Sequence, residues 1–212
     1  MNERTPEELR SHFEAHEAGH VFGLVERLRL TRLLARYPAR LVWAAYVMIT
    51  CFISIAILSA IATLSGSPFV FPSLGPTAYL LFFTPLARAS SPRHALLGHA
   101  IGLFFGYLAL RMTGGAAGSA GLQGDLRWSA VFAAAISLSA TGAAMVLFRV
   151  SHPPAGATTL IVSLGLLARP VQLLIVEAAV VLLVGEALLI NRLAGLPYPW
   201  WEESGRERGP KL

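Results

Sequence analysis

Acidic residues are almost missing from the body of this chain: between Leu41 and Trp201 only Asp125, Glu177 and Glu186 occur. A soluble domain of that length needs a well-charged surface, so the scarcity excludes one. Cysteine is as scarce, with Cys51 the single example among 212 residues. An intrachain disulfide and a cysteine-based zinc site are therefore excluded. No Gly-x-Ser-x-Gly elbow, phosphate-cradling glycine loop or carboxylate pair within one segment is present, so nothing marks the chain as an enzyme and no cofactor is implied. The N-terminus lacks a short basic region leading into a compact apolar one, and the first apolar run is expected to stay as an anchor. The net charge of +5 does not point to nucleic acid, because no basic stripe is interleaved with aromatics. The arginines flank apolar runs instead, as in membrane proteins.

What is present is apolar length. Hydrophobic residues make up 55% of the chain and charged residues 14%. The fold class is all-α: a polytopic membrane protein, with expected spans at 41–64, 94–112, 128–148 and 171–192. Residues 1–40 form a charged extension, expected to be one or two amphipathic helices on a cytoplasmic membrane surface, with Thr5-Pro6-Glu7-Glu8 as a helix start. Residues 41–195 form the transmembrane domain, and 196–212 a cytoplasmic tail. A Gly-rich connector at 113–125 divides the domain into repeats of about 41–112 and 128–192.

Each repeat contains a broken segment. Pro72-Ser73-Leu74-Gly75-Pro76-Thr77 and Pro153-Pro154-Ala155-Gly156-Ala157-Thr158 share the pattern Pro-x-x-Gly-x-Thr. Pro and Gly free backbone groups that hydrocarbon cannot satisfy, so such breaks persist at depth only against protein or water. Paired breaks in corresponding halves mark a transporter's binding site. Short helices are expected to begin at Thr77 and Gly156, near the midplane, where their first N–H groups and the macrodipole favour an anion. Ser73, Thr77, Ser151, Thr158 and Thr159 would donate hydroxyls, and Gly75 and Gly156 would allow close approach. Pro72, Pro76, Pro153 and Pro154 shape the breaks, and His152 can orient the anion or carry a proton. The glycines Gly98, Gly102 and Gly106 recur every fourth residue and offer a close helix contact.

Ionisable groups inside spans carry coupling by default, which makes His99, Glu177 and Glu186 candidates. Cation coordination by unwound carbonyls is the alternative. His12, His16 and His20 share a helical face and can in principle hold a metal, yet Glu14 and Glu17 lie off that face and a solvated stripe is favoured. Metal binding is not expected. If both broken segments cross, the chain makes six crossings; if both re-enter, it makes four. Either way both termini are cytoplasmic.

These paired motifs, Phe71 to Ala78 and Ser151 to Thr159, resemble the HPP family of integral membrane proteins, over about residues 41–193. The resemblance implies four transmembrane helices by the usual description. Because plastid and cyanobacterial members are associated with nitrite transport, it also implies a multi-pass inner-membrane carrier or channel for nitrite or a similar monovalent anion. A homo-oligomer in the lipid bilayer is expected. The alternatives are a proton- or sodium-coupled carrier of another small solute, and a non-transporting scaffold or sensor whose N-terminal region recruits a partner.

Overall fold

Two of the long helices of this protein bury a stripe of mostly small or polar residues and turn large apolar side chains outward. The helix Ala39–Ser65 buries Thr50, Ser54 and Leu58, while Met48, Phe52 and Leu64 are exposed. The helix Trp128–Leu147 buries Ala133, Ser137, Thr141 and Ala144. That inversion is expected where the solvent is lipid and helices associate by close approach.

A computed structural model describes residues 30–67, 69–114 and 128–202. The described residues form seven α-helices: α1 Leu30–Arg36, α2 Ala39–Ser65, α3 Leu74–Phe83, α4 Pro92–Met112, α5 Trp128–Leu147, α6 Pro154–Ser163 and α7 Pro170–Leu193. A 3-10 turn, Arg88–Ser90, precedes α4. Among the described residues, α2, α4, α5 and α7 are long and apolar enough to cross a membrane. The two short helices have 10 residues each, roughly half the hydrocarbon thickness at about 1.5 Å per residue. Residues 1–29, including His12, His16 and His20, lie outside the described residues, as does most of the Gly-rich connector.

Both short helices begin earlier than the sequence suggests, at Leu74 and Pro154 rather than Thr77 and Gly156. Proline in a first turn costs nothing there, because its missing N–H would be unpaired anyway and its φ already suits a helix. Pro76 is the third residue of α3 and Pro154 the first of α6. Prolines also open α4 and α7. The ends follow a common rule as well. Val150 N–H reaches back to the Met145 carbonyl at 2.8 Å, Leu166 to Ile161 at 3.1 Å and Leu196 to Asn191 at 3.0 Å. These six-to-one bonds end α5, α6 and α7 with Arg149, Gly165 and Gly195 at positive φ.

The α4–α6 seam is the tightest contact. A Cβ on Gly98 would lie 2.7 Å from His152 Cβ, one on Gly102 2.7 Å from the Ala155 carbonyl oxygen, and one on Gly106 2.7 Å from the Thr159 carbonyl oxygen. The glycine ladder therefore lies along α6 in order, and the two helices run parallel. The buried side of α7, from Val176 through Val180, Leu183 and Val184 to Ala187, closes the apolar core against Leu74, Ala78, Leu81 and Phe82 of α3.

One end of the bundle gathers many termini. Arg93, at the start of α4, donates its N–H to the Trp201 carbonyl beyond α7 at 2.9 Å, and its guanidinium reaches the Phe148 carbonyl beyond α5 at 3.4 Å. Tyr46, near the start of α2, bonds Asn191 near the end of α7.

The seam makes a prediction. Gly102→Val should drive α4 off α6, because the obstruction is backbone rather than a flexible side chain; overpacking of this kind costs about 1–3 kcal/mol. Gly185→Ala, with open space around the new methyl, should leave stability unchanged or improve it. Thermal melting in detergent measures both, and equal melting of Gly102→Val and wild type would contradict the seam.

Candidate functional site

Where α3, α4 and α6 meet, the hydroxyls and imidazoles of the broken motifs form one hydrogen-bonded chain. Ser73 precedes α3, Thr77 lies one turn later, His152 precedes α6, and Thr158 lies one turn into it. His99 enters from α4, about 10 Å along its axis from the first residue. All five are fully buried.

The distances order the chain. Ser73 Oγ lies 2.7 Å from Thr158 Oγ1, Thr158 Oγ1 lies 2.7 Å from His99 Nδ1, and Thr77 Oγ1 lies 2.9 Å from His99 Nε2. Thr77 Oγ1 is also 2.9 Å from the Ser73 carbonyl, which can only accept. A single direction then gives every hydroxyl one acceptor. Ser73 donates to Thr158, Thr158 to His99 Nδ1, His99 Nε2–H to Thr77, and Thr77 to the Ser73 carbonyl. Reversal would leave the Ser73 hydroxyl without an acceptor among these groups. His152 is fixed separately, since its Nδ1–H donates to the Ala89 carbonyl at 2.8 Å. Its Nε2 faces Thr77 Oγ1 at 3.4 Å, and its ring centroid lies 5.0 Å from that of His99.

This geometry can move a proton. A proton delivered at Ser73 shifts each hydrogen one place along and leaves one on His152 Nε2, with Thr77 turning from the Ser73 carbonyl to the imidazole. No heavy atom needs to leave hydrogen-bonding range.

The remaining expected residues divide by position. Thr159 is buried and donates to the Ala155 carbonyl at 3.0 Å, with Thr141 of α5 at 3.1 Å extending the polar layer. Ser151 is exposed, and its N–H donates to His94 Nδ1 at 2.8 Å. Pro72, Gly75, Pro76 and Pro153 are exposed, Pro154 is buried and Gly156 half-buried. Nothing presses on Gly75, and only a Leu138 methyl approaches Gly156, at 3.3 Å. The amides at the start of α6 are largely used in its own first turn, Ala155 to the His152 carbonyl and Gly156 to the Pro153 carbonyl, each at 3.0 Å.

Glu177 and Glu186 stay apart from this chain. Both lie on α7, and Glu177 Oε2 and both carboxylate oxygens of Glu186 are buried without a hydrogen-bond partner among the described residues. Neither glutamate is a partner of His99. Thr141 and the Ala89 carbonyl are participants that sequence reasoning missed. A threonine in an Ala/Ser-rich span gives no local sign of facing another helix, and a backbone carbonyl gives no sign at all.

A family model described as "HPP, transmembrane region" matches residues 36–199. The chain belongs to the HPP family. No curated protein and no solved structure gives a significant match. The family match takes in all five members of the buried chain, and the HPP motif His152-Pro153-Pro154 supplies the imidazole at one of its ends.

Thr158→Val tests whether the chain holds the bundle together. The substitution keeps the branched shape, removes the donor to His99 Nδ1 and leaves the Ser73 hydroxyl without an acceptor. Each orphaned group should cost about 1–3 kcal/mol, read as a lower melting temperature, while Thr158→Ser should melt close to wild type. A valine variant as stable as wild type would remove Thr158 from the structural account.

Proposed function

We propose that this HPP-family protein is a membrane transporter rather than an enzyme, moving a small monovalent anion, with nitrite the first substrate to test. The observation that carries this is the joint itself. Two Pro/Gly-broken half-helices meet through Ser73 and Thr158 inside an apolar bundle, with two imidazoles beside them. Polar groups at that depth are costly and belong to substrate or ion pathways. The donors now serve one another, so binding an anion would mean exchanging internal partners for the ligand. The hydroxyls of Ser73, Thr77 and Thr158 can do so without burying a full charge.

The ordered proton path favours protons over sodium as the coupling ion, because each link in it is a hydroxyl or imidazole and no carboxylate takes part. An anion accompanied by a proton also crosses as a neutral pair, which avoids the cost of burying its charge.

In our reading the two halves are pseudo-repeats and the chain makes six crossings. The starts of α2 and α4 and the ends of α5 and α7 share one end of the bundle, which supports segments 66–91 and 148–169 each returning across it. That end carries Arg32, Arg36, Arg40, Arg88, Arg93, Arg149 and Arg192, against Arg111 and Arg169 at the other. The positive-inside bias favours a cytoplasmic position for it, in an inner membrane. Single cysteines replacing Ser151 and Arg169, in a Cys51→Ser background, should react with an impermeant maleimide from opposite sides. Labelling from one side would mean re-entrant segments.

Flux tests the function. Proteoliposomes should take up nitrite saturably, faster with an inward proton gradient, and resist competition by chloride. His99→Gln should cut the gradient-driven rate at least tenfold. No uptake of nitrite, nitrate or formate by correctly inserted protein under proton and sodium gradients would reject the assignment and return attention to a recruiting role for residues 1–40.

A further inference from the structure

The end of the bundle that gathers the helix termini holds a second constellation, outside the buried chain. Arg93 NH1 lies 2.8 Å from Glu202 Oε1, His94 Nε2 lies 3.4 Å from the same oxygen, and Arg88 NH2 lies 3.9 Å from it. Three donors from the loop before α4 and its first turn thus converge on one carboxylate oxygen.

The tautomer of His94 explains why an anion belongs there. The Ser151 amide donates to Nδ1, so in the neutral ring Nε2 carries the hydrogen and points it at Glu202. Arg88 Nε approaches that same Nε2 at 3.2 Å. Two N–H groups so close repel unless an anion sits beside them. His94 is fully buried, whereas Glu202 is 37% exposed. Arg93 is 22% exposed and Arg88 41%, so His94 and Arg93 are the fixed part of the receiving site, and Glu202, at the end of the strap, is the part that can leave.

Glu202 arrives on a strap. After α7 the chain turns through Gly195, buries Tyr198 completely and donates its hydroxyl to the Ser90 carbonyl. Arg192 bonds the Tyr198 carbonyl at 2.6 Å and stacks over Trp200 at 3.8 Å. The anchors at Tyr198 and Trp200 precede Glu202, and the tether between them is short. Partial burial would raise the Glu202 carboxyl, but the hydrogen bond from His94 and the charge and hydrogen bond of Arg93 outweigh it and hold it below the usual carboxylate range.

We propose that Arg88, Arg93 and His94 form an anion site at the mouth of the bundle for a small planar oxyanion of carboxylate-like shape, and that Glu202 closes it as a tethered competitor. Guanidinium pairs recognise planar two-oxygen anions through paired N–H donors, and nitrite and formate both have that shape. The binding claim stands on this geometry alone. The claim that the site feeds transport rests on the anion-transport reading above.

The experiment separates the two. Full-length wild type and Glu202→Gln, in phosphatidylcholine nanodiscs at constant ionic strength, are titrated with sodium formate and followed by tryptophan fluorescence, for which Trp200 and Trp201 are adjacent reporters. A tethered carboxylate acts as a competitor at roughly millimolar effective concentration, so Glu202→Gln should bind formate at least tenfold tighter. Arg93→Gln added to Glu202→Gln should abolish the gain. If Glu202→Gln fails to fold, Glu202→Asp, one methylene shorter, should give an intermediate affinity. Equal affinity in wild type and variant, or a gain that survives loss of Arg93, would overturn the proposal. So would displacement of formate by phosphatidylglycerol, which would assign the site to a lipid phosphate. In flux assays Glu202→Gln should lower the half-saturating nitrite concentration several-fold. Tighter formate binding with no flux in any variant would fail the transport reading while keeping the site, and saturable flux with unchanged formate binding would do the reverse.

Discussion

The structure depends on the Thr158 hydroxyl, which accepts from Ser73, just before α3, and donates to His99 of α4. In water such a bond is replaceable. Between helices bathed in lipid it is not, because each of the three groups would otherwise be stranded in a medium that offers no partner. The bond therefore fixes how α3, α4 and α6 sit together. It also fixes the protonated nitrogen of His99, and through that nitrogen the hydrogen-bond direction at Thr77.

That joint forms only because α4 lets α6 come close. Gly98, Gly102 and Gly106 place backbone where any side chain would meet His152, Ala155 or Thr159. The seam and the hydrogen-bonded chain are one arrangement seen from two sides: close backbones bring His99 within reach of Thr158, and the satisfied polar groups remove the penalty for that closeness. Small residues at a lipid-phase interface and a polar network usually appear as separate devices. Here each requires the other.

Much of this was legible in the sequence, for reasons that can be named. Long apolar runs with few acids announce the four long helices, and the duplicated Pro-x-x-Gly-x-Thr announces the two short ones, because both signals are local. The glycine spacing pointed to a contact without saying with what. The early starts of α3 and α6 are not legible from the breaks, because proline in a first turn opens a helix while deeper in it ends one. His99 and Thr158 are each legible as candidates, but their direct bond across 59 residues is not. Nor is the meeting of Arg93 with Glu202, which lie 109 residues apart. Gly75 and Ser151 share the motif with Thr158 but face outward, which pattern alone does not separate.

The two polar sites are joined by the short turn Arg88–Ser90. Its middle carbonyl, on Ala89, accepts from His152 and holds that ring in its tautomer. Its last carbonyl, on Ser90, accepts from Tyr198 of the strap. Its first side chain, Arg88, reaches the Arg149 carbonyl just before the HPP motif and faces Glu202. Three residues so pinned cannot shift one at a time. Tyr198 on the strap and His152 at the end of the interior chain therefore rest on adjacent carbonyls of one turn. In the proposed transport reading, a shift of this turn would reach the mouth and the interior chain together through backbone, with no side chain needed to span the distance.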